Sequence, residues 1–246
     1  MMISILLAAG QGKRLRPLSY FIPKILLPVK GVPVLNYLLE NLKNLNLEGN
    51  YIIASDHYDT ITSYLENTGM QNISVLKGLG WETGGDLSIS IKELGNNHDV
   101  VAMNGDIVTD ADLSQLYSFH LSKKAPVSMA LLELADNEEA KRFGQVELRD
   151  DQSIAEFYEK NENRTRGSNL VNVGFYIFSK EFLIQHSDLL EPRKFKLETD
   201  LFPVLAEEHL LYGCPMNISY WWDVGTIESY LRAERFFING KGINPP

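Results

Sequence analysis

Short apolar runs alternate with longer amphipathic stretches through the first half of the chain. The near-continuous apolar run Ile3–Ala9 predicts a buried strand. Apolar residues at 34, 35, 38, 39, 42 and 45 predict a helix over Val34–Leu47. The same patterning predicts strands at Tyr51–Ala54, Ile73–Lys77 and Val100–Asn104. It predicts helices at Asp59–Asn67, Asp86–Leu94 and Ala111–Lys123. Strand and helix alternating in this way predict an α/β sheet, mostly parallel, with helices on both faces.

From about Pro126 the pattern changes. Val127–Glu133, Gly144–Leu148, Ile154–Glu159 and Val171–Phe178 follow one another as short strands, which predicts antiparallel or mixed additions to the sheet. Helices are expected at Phe182–Ser187, Thr199–Glu208 and Thr226–Phe237, with a strand at Asn217–Trp222. Residues 239–246 are expected to fray. No Pro/Gly/Ser linker interrupts the chain. We therefore expect a single domain over 1–246, with one lobe over about 1–125 and another over about 126–238 around a cleft.

Composition narrows the function. The 246 residues carry a net charge of −9, with 44% hydrophobic and 22% charged residues, as in ordinary globular proteins. This charge disfavours nucleic acid as a partner, since such a binder needs a basic face. The single cysteine, Cys214, excludes an intrachain disulfide and suits a reducing, cytoplasmic setting. Met1–Ala9 is too short to span a membrane and lacks a basic leader, so no membrane association is expected.

In so acidic a chain, clustered cations stand out. Gly10-x-Gly12 is followed by Lys13, Arg14 and Arg16, and Pro23-Lys24 adds a fourth. A glycine turn after a buried strand can surround an anion with backbone N–H groups. Two familiar phosphate motifs fail here. The dinucleotide fingerprint would need glycine where Leu15 stands, and a P-loop would need Ser or Thr where Arg14 stands. A solvated surface loop would show the same residues. Two carboxylates also stand out, Asp106 after Val100–Asn104 and Asp223 after Trp221-Trp222. Both lie at expected carboxyl ends of strands, where α/β proteins bind ligands, although aspartate there also serves as turn former or cap.

The segment Leu6-Leu7-Ala8-Ala9-Gly10-Gln11-Gly12-Lys13-Arg14-Leu15-Arg16-Pro17, followed by Pro23-Lys24-Ile25-Leu26-Leu27-Pro28-Val29, resembles the signature of the sugar-1-phosphate nucleotidylyltransferases. Asn104-Gly105-Asp106 and Trp222-Asp223-Val224-Gly225-Thr226 resemble that family's two metal motifs, and the resemblance covers nearly the whole chain. It implies a Rossmann-like, doubly wound fold with a smaller antiparallel sugar-binding lobe. It implies that Asp106 and Asp223 share one Mg2+ with a nucleoside triphosphate, that Arg14 contacts the triphosphate, and that Lys24 contacts phosphates near the reacting centre. Ala9, Gly10, Gly12 and Lys13 fall in the same nucleotide-binding segment. Thr83-Gly84-Gly85 resembles the nucleobase loop, where glycine would let the base approach. Asp86 replaces the family's usual Ala. It either favours the helix N-terminus or reads an amino-bearing base.

On the acceptor side, Phe143-Gly144-Gln145-Val146, Glu159-Lys160 and Val171-Asn172-Val173-Gly174 resemble the sugar-phosphate strands. Carried over, Gly144, Asn172 and Glu159 contact the sugar and Lys160 its phosphate. Asn161 departs from the Pro usual after Glu-Lys. Thr226 reads as the N-cap of the last helix. The five histidines lack metal-ligand spacing, and Glu198 and Asp200 read as capping or surface charges, with a supporting acceptor contact as the alternative. Trp221 and Trp222 read as core and cleft wall.

The implied reaction joins NTP and a sugar 1-phosphate into an NDP-sugar, releasing pyrophosphate. The Thr-Gly-Gly form leans towards guanylyl transfer to mannose 1-phosphate. Thymidylyl, uridylyl or cytidylyl transfer to glucose 1-phosphate, a non-sugar acceptor such as phosphocholine, and a non-catalytic nucleotide-sugar sensor remain alternatives. No hexapeptide repeat follows Asp223, so no C-terminal β-helix is expected. A homo-oligomer is compatible with the resemblance.

Overall fold

The computed structural model describes residues 1–159 and 168–239. Four parallel strands form the first half of a nine-stranded sheet: β1 (Met2–Leu7), β4 (Gly49–Ala54), β5 (Ile73–Lys77) and β6 (Asp99–Asn104), in the order β6-β1-β4-β5. Two short strands, β2 (Pro28–Val29) and β3 (Val32–Pro33), make a separate hairpin. Helices α1 (Val34–Leu42), α2 (Tyr58–Thr68), α3 (Glu82–Leu94) and α4 (Leu113–Lys123) connect these strands.

The strands after residue 126 join the same sheet. They are β8 (Val127–Glu133), β9 (Gln145–Leu148), β10 (Ile154–Tyr158), β11 (Leu170–Phe178) and β12 (Leu211–Pro215). β11 runs antiparallel to β6, β8 and β9, while β12 is parallel to β8. A second small sheet pairs β7 (Ile107–Thr109) with β13 (Trp221–Asp223), antiparallel. The remaining helices are α5 (Asn137–Ala140), α6 (Lys180–Gln185), α7 (Phe202–Glu207) and α8 (Ile227–Asn239).

Alternate residues of the central strands feed two different cores. Val101 and Met103 of β6 face one cluster with α1, α2, α4 and α8. Val100 and Ala102 face the other with α3, α6 and α7. Period-two side-chain alternation buried on both faces is what a doubly wound α/β sheet requires. The strong apolar runs of β1 and β6 follow from this.

Several boundaries differ from those expected. α1 stops at Leu42 because the chain turns there: Leu45 N–H donates to the Leu42 carbonyl, and Glu48 N–H to that of Met2, where β4 begins. α3 starts four residues early, at Glu82, and takes in Gly84 and Gly85. Their intrinsic cost in a helix is offset by tertiary bonds, since both N–H groups donate to the Phe195 carbonyl at 3.1 Å. The strand expected at Asn217–Trp222 is β13, shifted to Trp221–Asp223. β12 carries Gly213 and Pro215, which suppress a strand signal; a Cβ at Gly213 would meet Leu131 Cδ1 at 2.5 Å.

β11 organises the cleft. Its Phe175–Phe178 segment pairs with β6, but its earlier residues run past the end of β6 and pair with β9 and β8. The β8 register shifts between Asn172 and Tyr176, where Gly174 takes φ 96°. The sheet therefore splits at the carboxyl end of β6, where a ligand crevice is expected in such folds.

Candidate active site

A cavity of about 770 Å³ opens at that split. Its floor is the carboxyl end of β1 and the loop that follows. Ala9 is fixed through its carbonyl, which accepts Ser55 Oγ at 2.7 Å. Gly12 takes φ 60°, and its carbonyl accepts Ser19 Oγ at 2.7 Å. A Cβ there would meet Ser19 Cβ at 2.9 Å and Lys24 Cε at 3.4 Å, so glycine lets the loop fold over Lys24. A Cβ at Gly10 would meet nothing within 4 Å, and Gly10 opens onto the cavity.

Of the four cations, Lys13, Arg14 and Lys24 line the cavity. Arg16 turns away and lies over the Tyr20 ring at 4.8 Å. Lys24 Nζ donates to Asp106 Oδ2 at 2.9 Å. The Asp106 charge holds the ammonium pKa above its ordinary value despite burial. Burial pushes the Asp106 carboxyl up, but Lys24 and Arg14 together outweigh it and hold the pKa below the ordinary range.

Asp106 owes its position to Gly105. Gly105 N–H donates to the Leu7 carbonyl at 3.0 Å, and a Cβ would meet that oxygen at 2.7 Å. The chain thus crosses the end of β1 and turns into β7. Antiparallel pairing then sets Asp223 opposite Ile107, and Val224 N–H donates to the Asp106 carbonyl at 2.9 Å. Gly225 N–H donates to Asp223 Oδ1 at 2.6 Å. A Cβ at Gly225 would lie 2.6 Å from Asp223 Oδ1, and 3.5 Å from both Asp106 Oδ2 and an Arg14 guanidinium nitrogen. Two carboxylates and a guanidinium, from three distant parts of the chain, therefore converge on one point. Thr226 Oγ1 accepts the Ser229 N–H at 3.1 Å, as its capping role requires.

The opposite wall carries Gly144, Glu159 and Asn172. Asn172 N–H donates to the Gly144 carbonyl at 2.8 Å. Asn172 Oδ1 accepts the Gly174 N–H, and its amide donates to Tyr176 Oη at 2.8 Å. A Cβ at Gly144 would meet Glu159 Oε2 at 3.0 Å. Trp221 lines the cavity, with Nε1 donating to the Val173 carbonyl, whereas Trp222 packs on Phe236. Lys160, Asn161 and the tail from 240 lie outside the described residues.

The segment Thr83-Gly84-Gly85 forms the first turn of α3. Thr83 lines the cavity; Gly84 and Gly85 are buried beside it. Their lack of side chains admits another part of the chain, since added Cβ atoms would meet Phe195 Cε2 at 2.3 Å and the Arg193 carbonyl at 2.4 Å. That docking places Lys194, Lys196, Glu198 and Thr199 on the cavity wall. Glu198 Oε2 accepts Thr83 Oγ1 at 2.7 Å, so it is a cleft residue and not a surface charge, the first of its two expected readings. The alternation of Lys194, Lys196 and Glu198 was its only sequence signal. Among the described residues no three His, Cys, Asp or Glu side chains gather as a metal site. A cation here would draw on Asp106 and Asp223 together with ligand oxygens, a donor set suited to magnesium.

Comparisons with known proteins bear on the family and the fold. The chain is 29% identical over 249 residues to a mannose-1-phosphate guanylyltransferase of Mycobacterium tuberculosis, covering 98% of this chain and 66% of that relative. It is 31% identical over 240 residues to the bifunctional protein GlmU of Methanocaldococcus jannaschii, covering 97% of this chain and 55% of that one. The chain thus spans less than two thirds of these relatives' length. Its fold matches HddC from Yersinia pseudotuberculosis complexed with GMP-PN, at TM-score 0.75 and 23% identity, covering 96% of this chain and 100% of that one. A Bacillus anthracis protein assigned as a glucose-1-phosphate thymidylyltransferase matches at TM-score 0.80 and 23% identity, covering 100% and 98%. The nucleotidyl transferase family model matches residues 3–240, and this chain belongs to that family.

Proposed function

We propose that the chain transfers a nucleotidyl group from an NTP to a sugar 1-phosphate, releasing pyrophosphate. The observation that carries this reading is the convergence of Arg14, Asp106 and Asp223 on one point, with Lys24 bonded to Asp106. A cavity of about 770 Å³ has room for two substrates, with a glycine-rich cation loop on one wall and Gly144, Glu159 and Asn172 on the other.

The acceptor phosphate oxygen is already largely anionic near neutral pH. It attacks the α-phosphorus, the bond from that phosphorus to the bridging oxygen breaks, and the electron pair leaves with pyrophosphate. No strong general base is needed. The task of the site is alignment and charge neutralisation. Lys13 and Arg14 would hold the triphosphate, and Lys24 would offset charge at the reacting phosphates. Asp106 and Asp223 would hold Mg2+, which supplies further neutralisation of the crowded phosphates. Ala9, Gly10 and Gly12 would present backbone to the nucleotide, beside Thr83. Gly144, Glu159 and Asn172 would face the sugar.

Guanylyl transfer to mannose 1-phosphate is our first choice of substrates. The name of the mycobacterial relative supports it, and a uridylyltransferase relative from Synechocystis keeps glucose 1-phosphate in play. These substrates fit a cytoplasmic enzyme. The test is a matrix of four NTPs against hexose 1-phosphates with Mg2+, read as pyrophosphate release. Release that stops on chelation supports the reading, and no release from any pair sinks it.

A further inference from the structure

Asp86 is 3% exposed, yet it borders the cavity from within the first turns of α3. Its Oδ1 accepts the Leu79 N–H at 3.0 Å. The nearby backbone N–H groups of Trp81 and Gly80 also favour the charged carboxylate, partly offsetting the burial that raises its pKa. In this turn, a run of backbone N–H groups beside one carboxylate favours an anion. Here the anion is the protein's own side chain.

That turn is strained and tightly placed. Gly80 and Glu82 both take φ 66°, a conformation that costs free energy at a non-glycine residue. A Cβ at Gly78 would meet Asp86 Oδ1 at 3.1 Å, Ala9 Cβ at 3.1 Å and Ile53 Cγ1 at 2.9 Å. A Cβ at Gly80 would lie 3.7 Å from the Ala9 carbonyl. The turn therefore rests directly on the start of the glycine-rich loop. Gly80 and Glu82 line the cavity on that side, across from Gly144 and Asn172.

We propose that Asp86 is a positioning residue for the nucleotide: it binds turn 79–81 from beneath and so fixes the wall against which the nucleotide seats. Its engaged Oδ1 faces the turn, and its role does not depend on which base is bound. The proposal rests on the nucleotidyl-transfer reading above.

The full chain and its Asp86→Asn and Asp86→Ala variants decide it. Asn keeps the size and one acceptor, so it controls for failure of the Ala variant to fold. We expect the KM for all four NTPs to rise by a common factor of roughly tenfold in Asp86→Ala, and less in Asp86→Asn. The acceptor KM and the order of NTP preference stay unchanged, and amide exchange at 79–81 quickens. An unchanged NTP KM, or selective loss of one base, overturns the proposal. Exchange and calorimetric NTP affinity need no turnover. If wild type proves inactive the transfer reading fails, while unchanged exchange or affinity in the variants still overturns the role of Asp86.

Discussion

Lys24 and Asp106, 82 positions apart, are joined by a 2.9 Å charge-assisted hydrogen bond at the head of the cavity. Their side chains keep 20% and 24% of their exposure, so solvent reaches the pair. Its contribution to stability is about 1 kcal/mol or less. Its weight lies in holding a cation and a carboxylate ready in the site. Asp106→Asn and Lys24→Met should each lower kcat/KM by about 10²-fold or more. Melting temperatures should move by only a few degrees. A large loss of stability with normal turnover per folded molecule would contradict this assignment.

Gly225 gives a sharper test, because only space is removed. A methyl group there would sit 2.6 Å from Asp223 Oδ1. Gly225→Ala should push that carboxylate away from Asp106 and Arg14, with activity falling at least tenfold and the far-ultraviolet circular dichroism unchanged. Wild-type activity would show that the convergence is not used.

At Gly12 the conformation itself is at issue. Its φ is 60°, and an added methyl carbon would stand 2.9 Å from Ser19 Cβ. Gly12→Ala should therefore cost about 1–3 kcal/mol. It should also raise the KM for NTP, since the loop and Lys24 move together. Urea unfolding and steady-state kinetics check the two effects separately.

Outside the site, His120 links pH to stability. It is buried on α4, with Nδ1 2.8 Å from Ser128 Oγ. Burial lowers its pKa below 6.5, against opposing pulls from Asp99 and Glu181. A histidine buried neutral binds fewer protons than the unfolded chain, so its contribution is complete above pH 6.5 and is lost as pH falls through the folded pKa. The wild type should therefore lose stability below pH 6.5, and His120→Gln should flatten that slope in urea unfolding. Parallel slopes would remove His120 as the cause.

The parts of this architecture that were legible in the sequence are those written in local chemistry. β5 and β8 fall where their apolar patterns put them, Ile73–Lys77 and Val127–Glu133. The loop from Gly10 to Lys24 was visible as glycine and charge. What was missed depends on contacts far along the chain. Gly84 and Gly85 lower helix propensity, and only the Phe195 carbonyl shows why they belong to α3. Glu198 looks like any helix-start carboxylate until Thr83 is beside it. β7 is three residues, too short for periodicity, and β13 was expected too early, yet their pairing sets the Asp106–Asp223 geometry.

The last helix also ties down the β2–β3 hairpin that follows Lys24. Tyr230 Oη donates to the Pro28 carbonyl at 2.7 Å, and Glu234 Oε1 accepts the Lys30 N–H across 204 positions. α8 follows directly on the Asp223 segment, so one helix links that segment to the hairpin that follows Lys24. During synthesis the glycine-rich loop leaves the ribosome long before Asp223 and α8 do. A nascent chain thus carries Lys13, Arg14 and Lys24, and later β7, before β13 is there to pair with β7 and bring in Asp223. A chain ending before α8 would lack both bonds that hold Pro28 and Lys30.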